Sequence, residues 1–142
     1  MKTLQIYLGG KMAGLSSDEM NGWREQFIKI ISPCAENYNV KLTCVNPCKY
    51  YNFEEVRYHS EREVMEFDLY NLRNSNLVVV NFNDVKSIGT AMELMLAKEY
   101  HIPVIGFGVN GQKIHPWLLE SCTRVCDSLR EVVEHVAEFY LN

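Results

Sequence analysis

Residues 77–82 read LVVVNF. Five of the six are apolar and they do not alternate with polar residues, so this segment cannot be a strand with one wet face. A short strand that is hydrophobic throughout is buried on both faces, the usual condition of a strand in a parallel sheet with helices packed above and below. That reading sets what to expect on either side of it.

Upstream, residues 60–73 carry a helical period that turns Val64, Phe67 and Leu72 inward, and downstream residues 89–100 form a second helix. A fourth strand follows at 103–107, then a Gly/Asn turn, a short segment around Trp117, a fifth strand at 123–126 and a last helix at 127–141. Toward the N-terminus, Leu4, Ile6 and Leu8 mark the first strand. A helix opens at Ser16, where Ser16-x-x-Glu19 fits a capping box, and places Trp23, Phe27, Ile30, Ile31 and Cys34 on one face. The second strand spans residues 40–45 and is stopped by Asn46-Pro47. Residues 48–59 are polar and aromatic without a period and read as a loop placed to cover a site. The order βαβαβαββα predicts a doubly wound, Rossmann-like α/β fold, a five-stranded parallel sheet in the order 2-1-3-4-5, with residues 1–142 as a single domain.

Composition bounds the function. A chain of 142 residues with 47% hydrophobic side chains can bury one sizeable core. Its net charge of −4, with no Lys/Arg run, argues against nucleic acid or an anionic membrane as partner and leaves small molecules. The first residues, MKTLQIYLGG, have neither a signal-peptide pattern nor a membrane span, so a cytoplasmic location is expected. Five cysteines, an odd number, read as reduced thiols. The pairs Cys44/Cys48 and Cys122/Cys126 lack a zinc spacing and an H-x3-H partner, so neither a metal nor any other cofactor is expected.

In an open sheet of this order ligands bind at the switch point, beyond the ends of strands 1 and 3. The two loops there are Gly9-Gly10-Lys11-Met12-Ala13-Gly14 and Asn83-Asp84-Val85-Lys86-Ser87-Ile88-Gly89. Their glycines permit close backbone approach, and N–H groups at Gly89 and Thr90 suit an anion or a sugar hydroxyl. The first loop is neither a dinucleotide fingerprint nor a P-loop. Glu93 then has two readings. Thr90-Ala91-Met92-Glu93 matches a capping box, and the same helical turn also faces the crevice, where a carboxylate can attack an electrophile. Asp68 lies four residues from both Val64 and Leu72, on the inward stripe of its helix, where an acid must be either hydrogen-bonded or used. Glu61, Glu63 and Glu66 fall elsewhere.

Tyr7-Leu8-Gly9-Gly10, Glu66-Phe67-Asp68-Leu69 with Asn74-Ser75-Asn76, and Ser87-Ile88-Gly89-Thr90-Ala91-Met92-Glu93 together resemble the nucleoside 2-deoxyribosyltransferase family. The resemblance implies that Glu93 is the nucleophile toward the anomeric carbon of a 2-deoxyribose, that Asp68 contacts and protonates the departing base, and that Tyr7 positions the nucleophile. It also implies substrate contacts from Gly9, Gly10, Met12, Ser87, Gly89 and Thr90, and a homodimer or larger assembly whose neighbouring subunits complete the site. Two acids in separate roles suit the cleavage of a C–N glycosidic bond, as in retaining glycosidases.

Two features depart from the transferases. Where they carry an acid that helps hold the base, six residues before the glutamate, this chain has Ser87, which resembles the related deoxynucleoside 5'-monophosphate N-glycosidases and their phosphate-holding serine. Ser87 also reads as a plain N-cap. The GGKMAGLS loop differs as well, with Lys11 or Arg57 as further sources of charge. Trp117, Tyr50, Tyr51 and Tyr58 are open to stacking on a base, to an interface, or to ordinary core and surface positions. Three functions therefore stay open: deoxyribosyl transfer or monophosphate hydrolysis, a non-catalytic nucleotide-binding module in which Glu93 caps a helix, and a glycosidase acting on a nicotinamide dinucleotide.

Overall fold

The structure is a computed structural model that describes residues 1–50, 58–83 and 86–142. The aromatic loop's Tyr51 and Arg57, and Asp84 and Val85 after the third strand, lie outside the described residues.

The strands β1 (Lys2–Gly10), β2 (Val40–Val45), β3 (Leu77–Asn81), β4 (Val104–Phe107) and β5 (Arg124–Val125) form one parallel sheet in the order β2-β1-β3-β4-β5. The helices between and after them are α1 (Ser17–Asn37), α2 (Glu61–Arg73), α3 (Ile88–Glu99), α4 (Pro116–Glu120) and α5 (Leu129–Val136), the last running on as a π-helical turn, Ala137–Leu141. The short α4 closes the predicted ββ step, because the segment around Trp117 is itself helical.

β3 shows why its sequence does not alternate. Leu77 and Val79 face a core built with α1 and α5 through Phe27, Ile31, Val132 and Val136. Val78 and Val80 face a second core with Leu72 of α2 and Leu94 and Ala97 of α3. At about 25 cal/mol per Å² of apolar surface, burial on both faces is what holds the layers together. Tyr7 pairs in register with Val78 and Gly10 with Asn81, so β1 and β3 end side by side. Their following segments lead to α1 on one side of the sheet and α3 on the other, which opens the crevice.

Two helix faces differ from the sequence reading. On α1 the buried stripe is Met20, Arg24, Phe27, Ile31 and Ala35, with Ile30 exposed. On α2 Phe67 is 46% exposed, and the inward stripe is the narrower Val64, Asp68, Leu72. Among the described residues no helix is long and apolar enough to cross a membrane.

Candidate active site

A cavity of about 440 Å³ opens at the switch point, lined by Gly10, Met12 and Ala13 after β1, by Tyr58, by Val64, Met65, Asp68 and Leu69 with Glu61 on α2, and by Ser87, Gly89, Met92 and Glu93 of α3. Both candidate acids therefore face one space.

Ser87 is the N-cap of α3, its Oγ accepting from the Thr90 N–H at 3.2 Å. Thr90 is thus already inside the helix, and the capping-box reading of Thr90 and Glu93 fails because the position three residues earlier holds the cap. Glu93 lies one turn further in and caps nothing. The same bond removes the Thr90 N–H from the groups available to a ligand, and the Thr90 side chain is buried outside the cavity wall.

Glu93 is half-buried along its length, with Oε2 inaccessible to solvent and without a hydrogen-bond partner among the described residues. It is seated on Gly9: a Cβ there would stand 3.6 Å from Oε2 and 3.9 Å from the Tyr7 ring. Gly9 thus acts by letting the carboxyl approach β1 and does not line the cavity; Tyr7, fully buried, lies behind the carboxyl. Burial pushes the Glu93 carboxyl up to about 7. The Tyr7 hydroxyl beside the carboxyl opposes that rise, the Asp68 carboxylate adds to it, and the Arg24 guanidinium opposes it.

Gly10, Met12, Ser87, Gly89, Asp68 and Glu93 are brought together as the sequence indicated. Lys11 is not among them; it lines a separate small crevice with Trp23, Asn81 and Asn83. Of the aromatic candidates Tyr58 is on the wall, and Tyr50 packs edge-to-face on Phe67 with ring centroids 4.9 Å apart. Burial, then the Asp68 carboxylate, push the Tyr50 hydroxyl up, which places it within electrostatic reach of the site. Trp117 is 80% exposed on α4 and does not line the cavity. All five cysteines are free thiols, and among the described residues no three His, Cys, Asp or Glu side chains gather as a metal site.

One residue near the site carries no mark in the sequence. Arg24 is fully buried on α1 and donates from Nε to Leu8 O at 3.2 Å, from Nη2 to Gly10 O at 3.1 Å and from Nη1 to Met20 O. An arginine on an apolar stripe normally extends its charge to solvent, so nothing in the sequence marked it.

No family model matches the chain, and no curated protein matches its sequence. Solved structures do. A conserved protein from Enterococcus faecalis V583 superposes with a TM-score of 0.75 at 14% identity, covering 96% of this chain and 98% of that one. A 2-deoxyribosyltransferase from Bacillus psychrosaccharolyticus superposes at 0.67 and 18% identity, covering 91% and 90%. This chain has that enzyme's fold. A CMP N-glycosidase from Clostridium botulinum follows at 0.51 and 11% identity, covering 95% and 99%. Likeness at such identity concerns the fold, and the chemistry has to be argued from the site.

Proposed function

We propose that the protein cleaves the N-glycosidic bond of 2'-deoxynucleosides, with Glu93 as nucleophile, and transfers the deoxyribosyl group to a second base. One observation carries the reading: a buried carboxyl that caps nothing shares a cavity with a second acid. The fold in common with a 2-deoxyribosyltransferase and a CMP N-glycosidase agrees with it.

The ionised Glu93 attacks the anomeric carbon as the C–N bond breaks, and the departing base takes its proton from the Asp68 carboxylic acid. Two carboxyls facing one space disfavour double ionisation, which suits one proton shared between them at neutral pH. In the second half-reaction the acceptor base attacks the glycosyl ester, Glu93 leaves as carboxylate, and Asp68 recovers the acceptor's proton. Tyr7 and Gly9 hold the nucleophile from behind. With water as acceptor the same steps hydrolyse the bond.

Hydrolysis of deoxynucleoside 5'-monophosphates is the second reading. It is favoured by Ser87 and Gly89 on the cavity wall at the N-terminal end of α3, where a phosphate is well placed. A homo-oligomer belongs to the same proposal, because apolar side chains on α2 and α3 stay exposed beside the cavity.

The test is chromatographic: the protein is incubated with each 2'-deoxynucleoside and its 5'-monophosphate, with and without a second base. Exchange of base is expected. Base released from monophosphates alone assigns the hydrolase, and silence across the panel from folded protein contradicts both.

A further inference from the structure

Arg24 is among the largest fully buried side chains of the described residues, and its charge has no ion-pair partner among them. Burial draws its pKa down from the usual value, and Cys48, Glu93 and Tyr7 oppose that. Buried cations are normally paired with an acid, and replacing buried charge with apolar side chains of similar volume often leaves a fold no less stable. Packing of the α1 stripe alone therefore does not ask for an arginine here.

What the guanidinium holds is the end of β1. β2 stops at Val45, opposite Tyr7, whereas β1 runs on to Gly10 against β3. The carbonyls of Leu8 and Gly10 receive Arg24 on this overhang. The remaining nitrogen, Nη1, donates to Met20 O and meets Cys48 Sγ at 3.5 Å. The guanidinium also lies over the Trp23 ring, 4.7 Å from its centroid. Gly10 is at φ 147°, where a Cβ would come within 3.6 Å of Nη2 and 3.2 Å of Asn81 O, so the clamp fits closely. Leu8 faces the α1 core, while Tyr7 faces the α3 core and Gly9 packs on Glu93. Residues 8–10 thus separate a buried cation on one side of the sheet from a buried acid on the other.

We propose that Arg24 is a positioning residue for Glu93: it fixes residues 8–10, on which the carboxyl is seated, and sets a buried positive charge on the opposite side of them. The catalytic consequence rests on the reading of Glu93 as nucleophile. The other groups acting on that carboxyl are the Tyr7 hydroxyl from β1 and the Asp68 carboxylate from α2, and Glu61 and Tyr58 line the same cavity. Arg24 is the cation among them.

A purely structural clamp predicts lost stability and nothing more. The test therefore reads the carboxyl itself, by ¹³C NMR titration of protein labelled in its glutamate side chains, with the Glu93 resonance assigned by its absence in Glu93→Gln. In Arg24→Met and Arg24→Gln the Glu93 midpoint should rise by roughly half a pH unit to one unit, with Arg24→Lys near the wild type. The acid limb of kcat/KM should rise with it, since activity needs the ionised form. An unmoved midpoint in a folded neutral variant overturns the proposal. So does failure of both neutral variants to fold, which would assign Arg24 to the fold alone. A raised midpoint in a protein that turns over no nucleoside would uphold the electrostatic coupling and defeat the proposed function.

Discussion

A carboxyl held at about 7 in the native chain and near the ordinary glutamate value of 4.5 in the unfolded chain keeps its proton over a pH window where the unfolded state has lost it. In that window the native state binds more protons, so stability falls as pH rises, and above it the ionised Glu93 costs on the order of 3 kcal/mol. Glu93→Gln should therefore raise the melting temperature at pH 8 and change it little at pH 5, while abolishing turnover; an equal change at both pH values would show that the carboxyl is not held this way. Asp68→Asn keeps the shape of its partner and removes the transferable proton. It should lower kcat by roughly 10²-fold or more, with the smallest loss for bases that depart readily unprotonated, and steady-state rates across a leaving-group series check this. Asp68 was legible because its spacing from Val64 and Leu72 is strictly helical. Arg24 was not, because a long cationic side chain on an apolar stripe reads equally well as one that reaches solvent.

At the level of elements, α3 carries the Ser87 cap and the proposed nucleophile Glu93 about 1.7 turns apart. The motif Thr90-x-x-Glu93 fits a capping box in sequence, yet a hydroxyl three residues before a glutamate has that form whether or not its backbone is at the helix start. Ser87 takes the role because it is extended, at φ −105° and ψ 114°, while Thr90 already lies within α3. Ser87→Ala should destabilise the fold by about 1 kcal/mol through loss of the cap. If the serine also holds a phosphate, the variant should lose kcat/KM on 5'-monophosphates more than on nucleosides, a ratio that a cap alone would leave unchanged. The overread Phe67 has a related cause: on α2 the inward stripe follows an i, i+4, i+8 row, and a residue one position before Asp68 turns toward Tyr50 at the surface. The strands were more legible, since β3's unbroken apolar run has one physical explanation, two cores.

Across the whole molecule the strand order follows from that run and from the alternation of elements around it, and it puts the cavity where doubly wound sheets place ligands. What surrounds the cavity was less legible. Met65, Phe67 and Tyr70 on α2 and Ile88, Met92 and Met95 on α3 are exposed apolar side chains, and Met65 and Met92 also line the cavity wall. A surface of this kind is suited to association. Light scattering should give a mass at or above twice the 16.5 kDa of the chain, and Met95→Glu should reduce it to the monomer with lower activity. A monomeric wild type at working concentration would remove the assembly from the proposal.

In the proposed reaction Glu93 becomes covalently linked to the sugar. Mixing the protein with its best 2'-deoxynucleoside, quenching in acid within the turnover time and mapping the peptides by mass spectrometry tests it directly. A deoxyribosyl adduct is expected on the peptide containing Glu93, absent in Glu93→Gln and discharged when a second base is added before the quench. Turnover with no adduct, or an adduct on another residue, would contradict it.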